Sequence, residues 1–300
     1  LALALAATVT ERVDLGTSIA LAFARNPMSL ASTAHGLQAL SGGRLQLGLG
    51  SQVKAHITRR FSMPWSQPAA RMREYVLALR AIWASWADGT PLDFAGEFYT
   101  HTLMTPMFVP EPHGFGPPRI LLAAVGSAMT ATAGEVADGL LCHGFTTERY
   151  LREVTVPALE RARGRALGGD FALVGSPMVV TGSTEQAFEG ALRGARRQIA
   201  FYGSTPAYRG VLELHGWGAL GEELHALSRQ GEWERMATLV DDDVLGAFAV
   251  VGEPDAIAPE LLRRYGDLFD RCSLYTPYEG DPTLLDEIAR RVRAGSVVRT

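Results

Sequence analysis

Apolar and polar positions along the chain follow two alternating periods, one suited to buried strands and one to amphipathic helices. Val13–Phe23 (VDLGTSIALAF) is apolar and β-rich and predicts a strand. Asn26-Pro27 offers a cap and a first-turn proline for a helix running through Leu40, which Ser41-Gly42-Gly43 ends. Arg44–Gly50 predicts the next strand. Arg71–Trp86 has helical spacing, with Tyr75, Leu79, Ile82 and Trp86 on one face. Asp88 to Pro118 is rich in Pro, Gly and aromatics and reads as a long loop. Beyond it the expected order is strand Arg119–Val125, helix Ser127–Ala137, strand Gly139–His143, helix Thr147–Ala166, strand Ala172–Val180 and helix Thr184–Tyr202. Residues 203–246 read as mostly helical, and Ala247–Val251 as a short extended segment. Helix Pro254–Tyr265, strand Cys272–Tyr275 and helix Pro282–Val292 complete the series. The opening LALALAAT reads as part of a helix that Thr8 to Thr10 end.

Short, fully apolar strands between longer helices mean a parallel sheet covered on both faces. The sequence shows no linker, repeat or low-complexity stretch, so the expectation is one unit over residues 1–300, with 203–246 as a helical insertion. An α/β architecture of the (β/α)8 TIM-barrel type accounts for the pattern better than a doubly wound open sheet. In either fold, ligands sit at the C-terminal ends of the strands.

Composition narrows the class. The 300 residues are 47 % apolar and 20 % charged, enough for a large core. A net charge of −4 does not suit nucleic acid. Cys142 and Cys272 are too few for a disulfide framework, which fits a reducing, cytoplasmic setting. No apolar run approaches the ~20 residues of a membrane helix. Lys54 is the only lysine among 28 basic residues, a bias that a GC-rich genome such as an actinobacterial one produces. No His/Cys/Asp/Glu cluster has metal-ligand spacing, so no metal is expected. The expected partners are a small-molecule substrate and at most a second copy of the chain in a homodimer.

Candidate chemistry gathers at the strand ends. Arg44–Gln52 (RLQLGLGSQ) is a strand that stops in a glycine turn, where Gly48 and Gly50 leave backbone N–H groups open to a phosphate or another oxyanion. Lys54, His56, Arg59 and Arg60 follow at once. Gly126-Ser127 opens a helix and offers a second anion site through free N–H groups and the positive dipole end. His143 and Phe145 follow another strand. Tyr202, Tyr208, Trp217 and Trp233 could roof a substrate pocket or pack between helices. His101 and His113 fall in the long loop and are expected at the surface. Asp241-Asp242-Asp243 reads as a solvated helix cap.

Taken together, GTSI, the GGRLQLGLG strand, the RMREYVLALRAIW helix and the AGEVADG turn resemble the luciferase-like flavin and deazaflavin oxidoreductases. The resemblance covers nearly the whole chain. KAHITRRFSMPW and QIAFYGSTPAYRGVLELHGWG are similar to the actinobacterial, coenzyme F420-dependent branch. The resemblance implies a barrel with the deazaflavin or isoalloxazine ring at the strand C-termini. It implies a cis peptide at Ser18–Ile19 behind the ring. The family's phosphate-binding turns fall on Gly50-Ser51-Gln52 and on Gly126-Ser127-Ala128-Met129. Lys54, His56, Arg59 and Arg60 would then receive the phosphate or the acidic tail of F420, and His143, Phe145 and Tyr202 would line the substrate pocket.

Two departures from the family matter. Its barrel begins with two βα units before the strand matching Val13–Phe23, and some members place a glutamate where this chain has Ser51-Gln52. No catalytic acid or base is therefore assigned. The expectation is an F420-dependent oxidoreductase that moves a hydride between the deazaflavin and a small organic substrate. An FMN-dependent monooxygenase on the same scaffold, and a cofactor-binding relative without catalysis, are the alternatives. The barrel is expected to be incomplete at the N-terminus. Val13–Phe23 and Cys272–Tyr275 would be open edges, to be completed by upstream residues or a partner chain.

Overall fold

The computed structural model describes residues 1–296. α1 (Ala2–Val9) leads into two short strands, β1 (Leu15–Gly16) and β2 (Ala20–Leu21), and a 3-10 turn at Ala22–Ala24. Then come α2 (Pro27–Leu40), β3 (Leu45–Gly50), α3 (Pro68–Asp88), β4 (Phe94–Ala95), β5 (Thr100–His101), β6 (Arg119–Ala124), α4 (Ser127–Val136) and β7 (Gly139–Cys142). A helical run follows, with α5 (Glu148–Tyr150), a π segment at Leu151–Thr155 and α6 (Val156–Arg163). The remaining elements are β8 (Ala172–Gly175), β9 (Met178–Val180), α7 (Glu185–Gly203), α8 (Arg209–Leu214), α9 (Gly218–Gln230), α10 (Trp233–Thr238), α11 (Asp242–Phe248), β10 (Ala249–Val251), α12 (Pro254–Tyr265), β11 (Arg271–Cys272) and α13 (Pro282–Gly295). Among the described residues no helix is long and apolar enough to cross a membrane.

Contacts divide the chain into two compact units. The first comprises Leu1–Ala124, Ala128–Leu141 and Ala158–Ala166; the second comprises Val125–Ser127, Cys142–Pro157 and the described residues from Leu167 onward.

In the first unit the strands run parallel in the order β1-β3-β6-β7, with β2 also pairing β3. β3 is buried on both faces, Leu45, Leu47 and Leu49 on one side and Gly48 and Gly50 on the other, as a covered parallel sheet requires. Asn26 caps α2 by accepting from the Met28 N–H at 2.8 Å, with Pro27 in the first turn. Tyr75, Leu79 and Ile82 of α3 are fully buried, the face its periodicity predicts. The AGEVADG turn also has a physical reason. Asp138 accepts from the Ile120 N–H at 2.8 Å while its own N–H donates to the Ile120 carbonyl at 2.8 Å, and Arg80 bonds its carboxylate at 2.9 Å. That reciprocal clamp fixes the entry into β7.

Two expectations need correction in this unit. Val13–Phe23 is not one strand: the Thr17 N–H still donates to the Gln46 carbonyl at 3.2 Å and its hydroxyl to the Gly48 carbonyl at 2.7 Å, but Ser18–Ile19 leaves the ladder between β1 and β2. The stretch from Asp88 to Pro118 is not all loop. It contains the antiparallel β4–β5 hairpin. The Glu74 carboxylate accepts from the Glu97, Phe98 and Tyr99 N–H groups at 2.9, 2.7 and 2.6 Å, so a carboxylate on α3 pins the hairpin turn. The same folded stretch packs His113 against His35, with ring centroids 4.2 Å apart, and leaves His101 and His113 half-buried rather than at the surface.

In the second unit β8 pairs β11 and β9 pairs β10, all parallel. Ala172–Val180 is interrupted at Ser176-Pro177; β9 pairs β10 beyond it, while the segment after β11 bonds the chain through the break. Tyr275 donates to the Pro177 carbonyl at 3.0 Å and accepts from Val179 at 2.9 Å, and Pro177 has no N–H to continue a ladder. Asp270 repeats the clamp of the first unit, accepting from the Leu173 N–H at 2.7 Å and donating to its carbonyl at 2.9 Å. Residues 203–246 are helical as predicted. Asp241 caps α11 by accepting from Val244 at 2.8 Å. Phe145, Met178, Val180, Ile199, Leu212, Leu224 and Phe248 form the centre of this unit's core.

Candidate cofactor and substrate sites

The glycines of β3 have a reason internal to the fold. A Cβ on Gly48 would collide with the Thr17 carbonyl oxygen and lie 2.7 Å from Leu141 Cδ1; one on Gly50 would collide with Ile19 Cδ1. Their side-chain space is thus taken by the Thr17–Ile19 crossing. The Ser18–Ile19 peptide is cis, as the family resemblance implied. Ser18 is exposed and Ile19 half-buried, so the crossing presents a face to solvent beside the end of β3.

Past β3 the chain turns at Ser51-Gln52. Gln52 adopts φ 61°, and its side-chain oxygen accepts from the Val53 N–H at 3.1 Å. Lys54 and Ala55 enter a single π turn at His56–Arg60. Ile57 is fully buried and anchors that turn, which leaves Lys54, His56, Arg59 and Arg60 exposed together. Arg60 lies over the Phe61 ring at 5.3 Å. No ion-pair partner holds any of these four basic side chains among the described residues. Elsewhere arginines are commonly paired, as in Arg73–Glu135 at 2.8 Å, Arg152–Asp267 at 2.8 Å and Arg263–Glu260 at 2.6 Å. In a chain of net charge −4, an unneutralised basic turn at a strand end suits a polyanionic ligand.

The second glycine turn is open in a different way. Gly126, Ser127 and Ala128 are exposed and Met129 is half-buried, at the start of α4. A Cβ at Gly126 would meet nothing within 4 Å. Helix first turns carry N–H groups without intrahelical partners, and Gly126 precedes such a turn in α4.

His143 lies among tyrosines in the second unit. Its ring packs against Tyr202 and Tyr208, with centroids 4.7 Å away in both cases. Its Nδ1 accepts from the Phe145 N–H at 3.0 Å, and its Nε2 lies 3.4 Å from the Tyr208 hydroxyl. The Tyr202 and Tyr275 hydroxyls are 3.3 Å apart. Burial holds the His143 pKa below its usual range. His143 and Tyr202 are therefore neighbours. Phe145 is a different case. It is fully buried and stacked on Phe248 at 4.4 Å, so it supports the rings from the core and offers no face to a ligand. The sequence did not single out Tyr275. Gly144 leaves room for it, since a Cβ there would lie 3.1 Å from the Tyr275 ring. Trp233 is half exposed against Phe201, and Trp217 stacks on His215 at 4.6 Å; both are packing residues.

Comparison with known proteins places this geometry. The luciferase-like monooxygenase family profile matches residues 1–271, and the chain belongs to that family. A protein of Mycobacterium tuberculosis, itself uncharacterized, is 57 % identical over 274 residues, covering 90 % of this chain and 80 % of its own length. The 5,10-methylenetetrahydromethanopterin reductase of Methanopyrus kandleri is 27 % identical over 276 residues, covering 86 % of this chain and 75 % of that protein. The solved structure of the coenzyme F420 dependent tetrahydromethanopterin reductase from the same organism superposes with a TM-score of 0.76 at 22 % identity, over 98 % of this chain and 86 % of that one. The fold is thus the luciferase-like α/β barrel type that the strand and helix pattern predicted.

Proposed function

We propose that this protein is an oxidoreductase that binds coenzyme F420 and exchanges a hydride between the deazaflavin and a small organic substrate. The observation that carries the reading is the basic turn, Lys54, His56, Arg59 and Arg60, exposed and without carboxylate partners directly after β3. FMN ends in one phosphomonoester, whereas F420 carries a phosphodiester and, beyond it, a run of carboxylates. A turn with this much unneutralised charge is matched to the longer anion. The cis Ser18–Ile19 crossing and the open Gly126 turn support ring and phosphate contacts, and the reductases among the relatives support the chemistry. When bound, the deazaflavin supplies a two-electron hydride carrier; the protein supplies binding and alignment.

Side-by-side fluorescence titrations with F420 and FMN test this. F420 is expected to bind more tightly, with an affinity that falls as salt rises past the ~0.1 M range where the Debye length shrinks below about 10 Å. Lys54→Glu and Arg60→Glu should each weaken F420 roughly five-fold and leave FMN nearly unchanged. Equal affinities for the two cofactors, insensitive to salt, would overturn the reading in favour of an FMN enzyme.

A further inference from the structure

The second unit carries a cleft of its own, of about 570 Å³, lined by Arg209, Glu222, His225, Ala226, Arg229 and Gln230. That volume falls within the ~300–1,000 Å³ of small-molecule sites. α9 turns Gly221, Leu224 and Leu227 into the core, so Glu222, Ala226, Arg229 and Gln230 recur on the opposite, exposed face. Ala226, one turn from its polar neighbours, keeps the floor of the cleft low. Arg209 enters from α8, which Gly216, at φ 78°, turns back towards α9. Charge in the cleft is unbalanced. Glu222 is the one carboxylate among the lining residues and stands 3.7 Å from Arg209, a loose pair. Among the described residues neither a carboxylate nor a hydrogen bond holds the Arg229 side chain. His225 donates from Nδ1 to the Ser204 carbonyl at 2.9 Å, at the C-terminal end of α7, which leaves the Nε2 lone pair to meet a ligand. Carbonyls at the end of α9 would repel an anion, but two of them are covered. Leu227 accepts from the Glu232 N–H at 3.1 Å and Ser228 from the Gly231 N–H at 3.2 Å.

We propose that this cleft binds a small hydroxylated phosphomonoester, with its phosphate between Arg209 and Arg229 and its hydroxyls on Glu222 and His225 Nε2. Side chains of two kinds argue for that ligand. A guanidinium is a fork of N–H donors that matches phosphate oxygens. Two forks entering from different helices suit a tetrahedral phosphate better than a flat carboxylate, which one fork satisfies. The Glu222 carboxylate and His225 Nε2 offer acceptors alone, so they suit hydroxyl hydrogens. The Gln230 amide serves either end. A bare polyanion would meet Glu222 as a like charge, and an uncharged polyol would leave Arg229 without a partner. No residue of the basic turn takes part, so the proposal goes beyond the F420 reading and does not depend on it.

Glycerol 3-phosphate, inorganic phosphate and glycerol are the probes, each compared with sodium chloride at matched ionic strength. The readout is the His225 resonance in ¹⁵N-histidine spectra, assigned by its loss in His225→Gln. Titrating that resonance confines the measurement to the cleft, whatever the basic turn binds. In the wild type, glycerol 3-phosphate should move it and saturate with a Kd on the order of 1 mM, inorganic phosphate should bind about five-fold more weakly, and glycerol should leave it in place. Arg229→Ala and Arg209→Ala should each weaken glycerol 3-phosphate about five-fold. Glu222→Ala should bring glycerol 3-phosphate and inorganic phosphate level. Arg235→Ala removes an exposed cation of α10 outside the cleft and should change nothing. A resonance indifferent to glycerol 3-phosphate, or one that chloride moves equally, would overturn the proposal. So would an equal loss in Arg235→Ala, which would reduce the effect to general charge attraction. Inorganic phosphate binding as tightly as glycerol 3-phosphate in the wild type would overturn the hydroxyl contacts and with them the ligand class.

Discussion

Gly48→Ala is expected to destabilise the protein by about 3 kcal/mol, the upper end of what overpacking costs, and to disturb the Thr17–Ile19 crossing. The added methyl would run into the Thr17 carbonyl oxygen, which is backbone, so no side-chain rotation relieves it. The Leu141 side chain at 2.7 Å closes the other escape. Displacing Thr17 also breaks the bond from its hydroxyl to the Gly48 carbonyl, 2.7 Å long in the native fold. Gly36→Ala is the matched control. It lies within α2, a Cβ there meets nothing within 4 Å, and the substitution should stabilise by roughly 0.5–1 kcal/mol through helix propensity. Urea unfolding of both variants reads the contrast. Equal midpoints for Gly48→Ala and wild type would show that the crossing yields freely and that the glycine is not demanded by packing. Weakened F420 binding in Gly48→Ala, at temperatures where the variant stays folded, would tie the crossing to the cofactor surface.

The sequence carried the helices and buried strands because each has its own period and caps. Asn26-Pro27, the α3 face with Tyr75, Leu79 and Ile82, and the Asp241 cap are all local signals, and all stand in the structure. What it hid depends on distant partners. The split of Val13–Phe23 follows from Thr17 bonding to Gly48, 31 residues away. The β4–β5 hairpin depends on Glu74 reaching the N–H groups of Glu97 to Tyr99, about which a Pro/Gly-rich stretch says nothing. The interruption at Ser176-Pro177, beyond which β9 pairs β10, is visible in sequence only as a proline inside an apolar run.

The candidate sites divide in the same way. The basic turn was legible because Lys54, His56, Arg59 and Arg60 sit within seven residues of sequence, and a single buried residue, Ile57, is enough to turn them outward. The cis bond at Ser18–Ile19 was legible only through resemblance to a family, since nothing in the residue types demands it. The tyrosine surround of His143 was legible for Tyr202 and hidden for Tyr275, which lies 73 residues further along the chain from Tyr202. Phe145 misled for a physical reason. A residue just after a strand can turn inward as readily as outward, and here Phe248 stacks on it from the core.

Gly126→Val is expected to lower F420 affinity ten-fold or more, about 1.4 kcal/mol, with the fold untouched. The structure makes this a clean substitution. Gly126 is exposed, its φ is not in the left-handed region, and a Cβ would meet no atom within 4 Å, so the folded protein accommodates the branched side chain. Any loss must then come from what the new methyl groups exclude. A phosphate held by the first-turn N–H groups of α4 has to approach within about 3 Å of the backbone, inside the space a valine would fill. Gly126→Ala should give an intermediate loss, because one methyl blocks less of that approach. Unfolding midpoints of both variants should equal the wild type, which separates this series from Gly48→Ala. Wild-type F420 affinity in Gly126→Val would make Gly126 an ordinary turn residue and move the phosphate contact away from α4, leaving the Ser51-Gln52 turn and its basic neighbours as the remaining anion site.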